Sequence, residues 1–244
     1  MIKATHPEPA SIAEESDSAH PGWWTALAVI ATAWFGIPMV LPIAAAVPWI
    51  LFRRRRDPSA RRIGYTLRWA LATLVTGIAM VALAGDRAIR SIPFGERAIE
   101  GARAWVGGTG GAVPPLLVMA QWTILFALAS VLTRGILGGV LLAHVLLITA
   151  LHAAMVFASS LNVVQASVVA FPIWSVLLLA GMTLLLDPLA SWGESRFRRG
   201  QNETRAVVPA RRILLGAVFI AAVFAARLVV AGPLTDVLRR LTTP

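Results

Sequence analysis

The chain has 244 residues, 57% of them hydrophobic and only 14% charged, with a mean hydropathy of +0.73. Soluble domains carry about 25% charged residues, and several runs of about 18 or more apolar residues place this chain among polytopic membrane proteins. The net charge of +10 comes from 21 arginines and one lysine against twelve acids, and the absence of cysteine excludes disulfides, thiol catalysis and thiolate metal sites.

Residues 1–22 are polar, acidic and proline-containing, and read as a disordered tail ahead of one transmembrane domain over 23–244. One lysine against four acids is not the basic start of a signal peptide. The first apolar stretch, 23–52, would reach about 45 Å as a helix, against a hydrocarbon core of about 30 Å. It contains Gly36, Pro38, Pro42 and Pro48, and is expected to be one span kinked near Pro38–Pro42. A proline frees the carbonyl four residues before it, and a helix broken in lipid must line protein or water. Pro38 and Pro42 are therefore substrate-path candidates.

The loop at 53–62 holds Arg53, Arg54, Arg55, Arg56, Arg61 and Arg62. Between two apolar spans such a run anchors topology on anionic headgroups, and no nucleic-acid partner is expected. Asp57-Pro58-Ser59 supplies the turn into a second span at 63–84. In the following loop, Ala98, Ile99, Ala102, Trp105 and Val106 recur at helical spacing opposite Arg97, Glu100 and Arg103. This pattern predicts an amphipathic helix over 96–106, lying on the outer leaflet. The glycine-rich "GGTGG" at 107–111 then lets the chain turn, and lacks the Lys-Ser/Thr that a phosphate-binding loop needs.

Spans three (113–133) and four (136–158) are predicted to form a tight hairpin. Span four carries His144, Thr149 and His152, and the two histidines sit about 80° apart around the helix and about 12 Å along it. They cannot share one metal, and no metal site is expected. They are candidates for a proton relay or a quinone contact, beside the plainer role of hydrogen bonding to neighbouring helices. No cofactor is predicted. A haem would need second axial ligands, and the other histidines, His6 and His20, lie in the tail. Gly135, Gly139 and Ala143 form a small-residue face, which in lipid marks close helix packing, and span four is expected at the centre of the bundle. Span six repeats the device at Ala217, Ala221 and Ala225.

Span five is read at 167–186 and span six at 213–231. Arg134 and Asp187, at the expected ends of spans three and five, are candidates for an ion-pair clamp or gate. Arg196, Arg198 and Arg199 join the first arginine loop in one basic face suited to lipid headgroups or a docking partner. Arg227 lies inside span six, where it would snorkel to the interface or hold a substrate anion.

Thirteen basic residues in or beside the loops on one side, against seven on the other, predict both termini outside and the arginine-rich loops inside. Trp23, Trp24 and Trp105 would mark the outer interface, and Trp49, Trp69 and Trp192 the inner one. The preference for arginine over lysine points to a bacterial inner membrane. The expected fold is an all-α bundle of about six spans with one interfacial helix. No catalytic constellation is present, so the leading expectation is a non-catalytic integral subunit or scaffold, packed against other membrane subunits or its own copies. The rival reading is a small-solute or lipid transporter or permease component. A third is a redox or quinone-contacting subunit using His144 and His152.

Overall fold

The computed structural model describes residues 59–106, 116–158, 162–197 and 210–242, with single helical residues at 27, 30 and 31. The first predicted span with Pro38 and Pro42, Arg53 to Arg56, the "GGTGG" segment, Arg198 and Arg199 lie outside the described residues. Among the described residues every regular element is helical: α1 (Ser59–Ala84), α2 (Asp86–Ser91), α3 (Gly95–Val106), α4 (Leu116–Leu132), α5 (Ile136–Phe157), α6 (Val163–Ala170), α7 (Ile173–Phe197) and α8 (Ala210–Thr242). Four of these helices are long and apolar enough to cross a membrane, at Gly64–Ala84, Ile136–Phe157, Ile173–Arg196 and Ala210–Asp236. Helix α4 is apolar but has 17 residues.

Helix α5 is the centre. It touches α1, α3, α4, α6 and α7. Leu142, Ala143, Leu147, Ala150, Leu151, Ala153 and Val156 are fully buried along it. Association between apolar helices in lipid depends on close packing, and glycines supply it here. A Cβ at Gly77 of α1 would come within 2.9 Å of the Ala150 Cβ, and one at Gly138 would land on the Ser130 side chain of α4. A Cβ at Gly193 of α7 would strike the Val131 carbonyl of α4.

The predicted α4–α5 hairpin is present. Arg134 (φ 55°) and Gly135 (φ 92°) reverse the chain, and the Gly135 amide donates to the Ser130 carbonyl at 2.7 Å. The Thr133 hydroxyl donates to the Ala129 carbonyl at 2.6 Å and accepts the Leu137 amide at 2.9 Å, joining the end of α4 to the start of α5. Helices α7 and α8 make the most extensive pair. A Cβ at Gly216 would meet Leu185, and one at Gly181 would meet Ile220, so the two helices run antiparallel.

Three elements differ from the sequence reading. The fifth predicted span, 167–186, falls on two helices, of which α7 alone is long and apolar enough to cross a membrane. The short α6 before it starts at a capping box, with Asn162 Oδ1 accepting the Gln165 amide at 2.9 Å and Gln165 Oε1 accepting the Asn162 amide at 3.3 Å. It ends at Phe171, whose φ of −123° and ψ of 65° are non-helical, because Pro172 disfavours a helical residue before it. The second proline, Pro188, sits inside α7 without ending it. Asp187 is therefore not at the end of its span but ten residues before Phe197. Helix α3 forms where predicted, but Ile99 and Ala102 are buried and the helix packs on α5 and α8, so its apolar side is covered by the protein. Trp69, expected in an interfacial belt, is 1% exposed in the core.

Candidate functional site

The polar groups that a membrane interior makes expensive fall in three places. At one end of the bundle, α6 folds back along α5, and His152 Nε2 lies 3.2 Å from the Val169 carbonyl. A carbonyl only accepts, so Nε2 carries the hydrogen. Val169 lies in the last turn of α6, where Pro172 and the break remove amide donors that a continuous helix would supply. His152 thus satisfies a backbone group released by the break. Thr149, one turn earlier, returns its hydroxyl to the Val145 carbonyl at 2.8 Å.

Arg227 of α8 belongs to the same end. The Met119 that it touches belongs to an apolar cluster with Ala153, Val156, Ala166, Val169, Ala170, Trp174 and Val223. Gly216, Ile220, Val223 and Arg227 lie at 3.6-residue spacing on the face that meets α7. The antiparallel register that sets Gly181 against Ile220 places Arg227 level with Trp174, in the first turn of α7. Arg227 is 7% exposed, and its Nη1 donates to Met119 Sδ at 2.6 Å.

The second place is the middle of α5. The His144 ring lies between Trp122 of α4, centroids 5.8 Å apart, and Phe94, 6.2 Å away and edge-on at 74°. Phe94 sits at the corner between α2 and α3 with φ 60°. A Cβ at the next residue, Gly95, would strike the Ile89 carbonyl, so the corner is closed tightly. His144 is eight residues from the start of α5 and thirteen from its end, so this corner reaches the middle of a spanning helix. One turn of α1 adds two groups that sequence reasoning missed. The Trp69 indole nitrogen and the Thr73 hydroxyl are buried without a hydrogen-bond partner among the described residues, as is the Ser130 hydroxyl. Thr73 and Ser130 read as ordinary helix residues in sequence, and no signal there marked them.

The third place is the second half of α7. Asp187 is buried, and its Oδ2 lies 3.5 Å from Arg212 Nη1 of α8. Arg134, at the α4–α5 turn, is exposed, as is Arg196. Arg61 and Arg62 lie in the first turn of α1. Of the small-residue faces, Gly135, Gly139 and Ala143 are buried, whereas Ala217 and Ala221 are exposed, one position along from the Gly216 face that packs. Among the described residues no group of three or more His, Cys, Asp or Glu side chains could hold a metal. The chain matches no protein-family model, no curated protein and no solved structure.

Proposed function

We propose that the chain is a multi-pass inner-membrane protein of six spans that moves a small solute or lipid along a path at the α6 end of its bundle, as a transporter or permease component. The spans are 23–52, α1, α4, α5, the α6–α7 pair and α8. Both termini lie outside, and α3 is an amphipathic helix on the outer side, tucked against α5 and α8.

The observation that carries this reading is the interruption at Phe171–Pro172. Breaking a helix inside a bilayer frees backbone groups that lipid cannot satisfy, so breaks are placed where they face protein or a water-filled path. This break lies at the end of the bundle that also holds His152 and Arg227, polar groups within the long apolar helices α5 and α8. Reconstituted vesicles test it, with dithionite bleaching of a fluorescent phospholipid and efflux of labelled organic anions as the two readouts. The wild-type chain moves at least one probe faster than empty vesicles, and P172A slows that probe. Fluxes indistinguishable from empty vesicles in both assays reject the reading.

A second reading, an integral non-catalytic subunit of a larger assembly, is favoured by α8. Ala217, Ala221 and Ala225 are exposed opposite its packed face, beside exposed Leu214, Val218 and Leu228. Small residues at this spacing suit contact with another helix better than contact with lipid. Purification in mild detergent tests it: a monodisperse monomer that retains no companion rules it out.

A further inference from the structure

We propose that α2 and α3 form a re-entrant hairpin whose charged side draws zwitterionic phospholipid headgroups below their normal plane, toward the middle of the bundle. The proposal rests on the lipid branch of the transport reading for its use, but contact is tested separately from movement.

The depth of the hairpin follows from register. An added Cβ at Gly77 of α1 meets Ala150 of α5, and each lies seven residues from the end of its helix, at Ala84 and Phe157. Ile78 reaches the apolar cluster of Ala153 and Val156, whereas Trp69 and Ala70 belong to the other cluster, with Leu142 and Ala143. The two helices therefore run parallel and end level. The chain leaves α1 there, and ten residues later the Phe94 ring lies 6.2 Å from His144, thirteen residues back along α5. Helix α5 has 22 residues, about 33 Å, just enough to cross the hydrocarbon, so Phe94 reaches its middle. Helix α3 then packs back along α5 and α8.

Only one side of this hairpin is covered. Ile92, Ile99 and Ala102 are buried, while Arg87, Arg90, Glu96, Arg97, Glu100 and Arg103 are all exposed. None of these six is in an ion pair among the described residues. Arg90, Glu96 and Arg97 stand within four residues of Phe94. Charges facing acyl chains at that depth are costly, so the surface calls for a polar occupant. The mixture of signs selects it: guanidinium forks take the phosphate of a zwitterionic headgroup, and the carboxylates take its ammonium. A second observation agrees. Helix α4, whose Trp122 lies against His144, has 17 residues, about 25 Å, and a short span is met by local thinning of the bilayer.

The test attaches bimane to single cysteines in the full chain, which has no native cysteine, reconstituted in phosphatidylcholine and phosphatidylethanolamine vesicles. E96C sits beside the Phe94 corner and leaves every arginine in place. L125C, exposed on α4 one turn from Trp122, marks the acyl chains at the same level. The quenchers are phosphatidylcholine with a nitroxide on its headgroup, phosphatidylcholine with a mid-chain nitroxide, and aqueous iodide. The ratio of headgroup to mid-chain quenching should be at least about threefold higher at E96C than at L125C, and R90Q/R97Q should lower headgroup quenching at E96C about threefold. Quenching of E96C by the mid-chain nitroxide alone overturns the proposal, because the charges then face acyl chains. Quenching by iodide alone overturns it in favour of a closed aqueous vestibule, and quenching by none of the three in favour of a covering protein. Headgroup quenching as strong at L125C as at E96C, or unchanged in R90Q/R97Q, also overturns it. Headgroup contact without lipid flux sinks the lipid-transport reading and leaves the hairpin surface standing.

Discussion

Asp187 of α7 and Arg212 of α8 pair at 3.5 Å across the longest helix contact in the molecule, with side chains 10% and 18% exposed. The register explains why these two meet. Leu185 packs against Gly216, and two residues further along α7 the carboxylate comes level with the first turns of α8. Removing one member of a largely buried pair strands the other charge. D187A should therefore lower stability by about 2 kcal/mol, measured as thermal unfolding in detergent, and D187A/R212M should recover part of that loss. A D187A protein as stable as wild type would show that the pair is a surface contact of little weight.

Gly138 is a second point where one atom decides packing. A Cβ there falls on the Ser130 side chain, which is fully buried where α4 meets α5. G138A is expected to cost about 2 kcal/mol by overpacking, and S130G/G138A to restore most of it. Gly64 of α1 is the contrast, with nothing among the described residues within 4 Å of an added Cβ. G64A should be neutral, or stabilising by about 0.5 kcal/mol, because alanine loses less backbone freedom in a helix.

These residues show what the amino-acid pattern reveals and what it hides. Composition and hydropathy were enough to foresee helices long and apolar enough to cross a membrane, because lipid admits only closed backbone hydrogen bonding in long apolar helices. The α4–α5 hairpin was legible because Gly135 and a gap of only two residues between the predicted spans leave no other route for the chain. The break at Phe171–Pro172 was not, since apolar residues run continuously through it and Pro188 has the same local signature without breaking α7. The amphipathic face of α3 was visible in sequence, but its occupant was not: lipid and the buried side of α5 attract the same residues. Asp187's meeting with Arg212 was hidden as well, because it depends on the register between α7 and α8. Arg227 was legible as an oddity in an apolar span. Its contact with Met119, 108 residues earlier, required the fold.

The bond from His152 to Val169 predicts a graded series. H152Q can still donate to the carbonyl released near the break, whereas H152L cannot and leaves it unpaired. H152L should cost about 1–2 kcal/mol, and H152Q less than half of that, by thermal unfolding in detergent. Equal losses in both variants would assign the histidine's value to ring packing and not to its hydrogen bond.

Topology can be read directly, because the chain contains no cysteine to obscure a probe. Arg87 and Arg90, exposed on α2, follow the outer end of α1 in the proposed orientation, while Arg196, exposed near the end of α7, lies on the arginine-rich inner face. Single variants R87C and R196C therefore separate the two sides. In intact cells stripped of their outer membrane, a membrane-impermeant maleimide should label R87C at once, and R196C only after permeabilisation. The direction follows from the asymmetry of basic residues, thirteen against seven, since cytoplasmic loops retain arginine and lysine. Labelling of R196C before permeabilisation, with R87C protected, would invert the molecule.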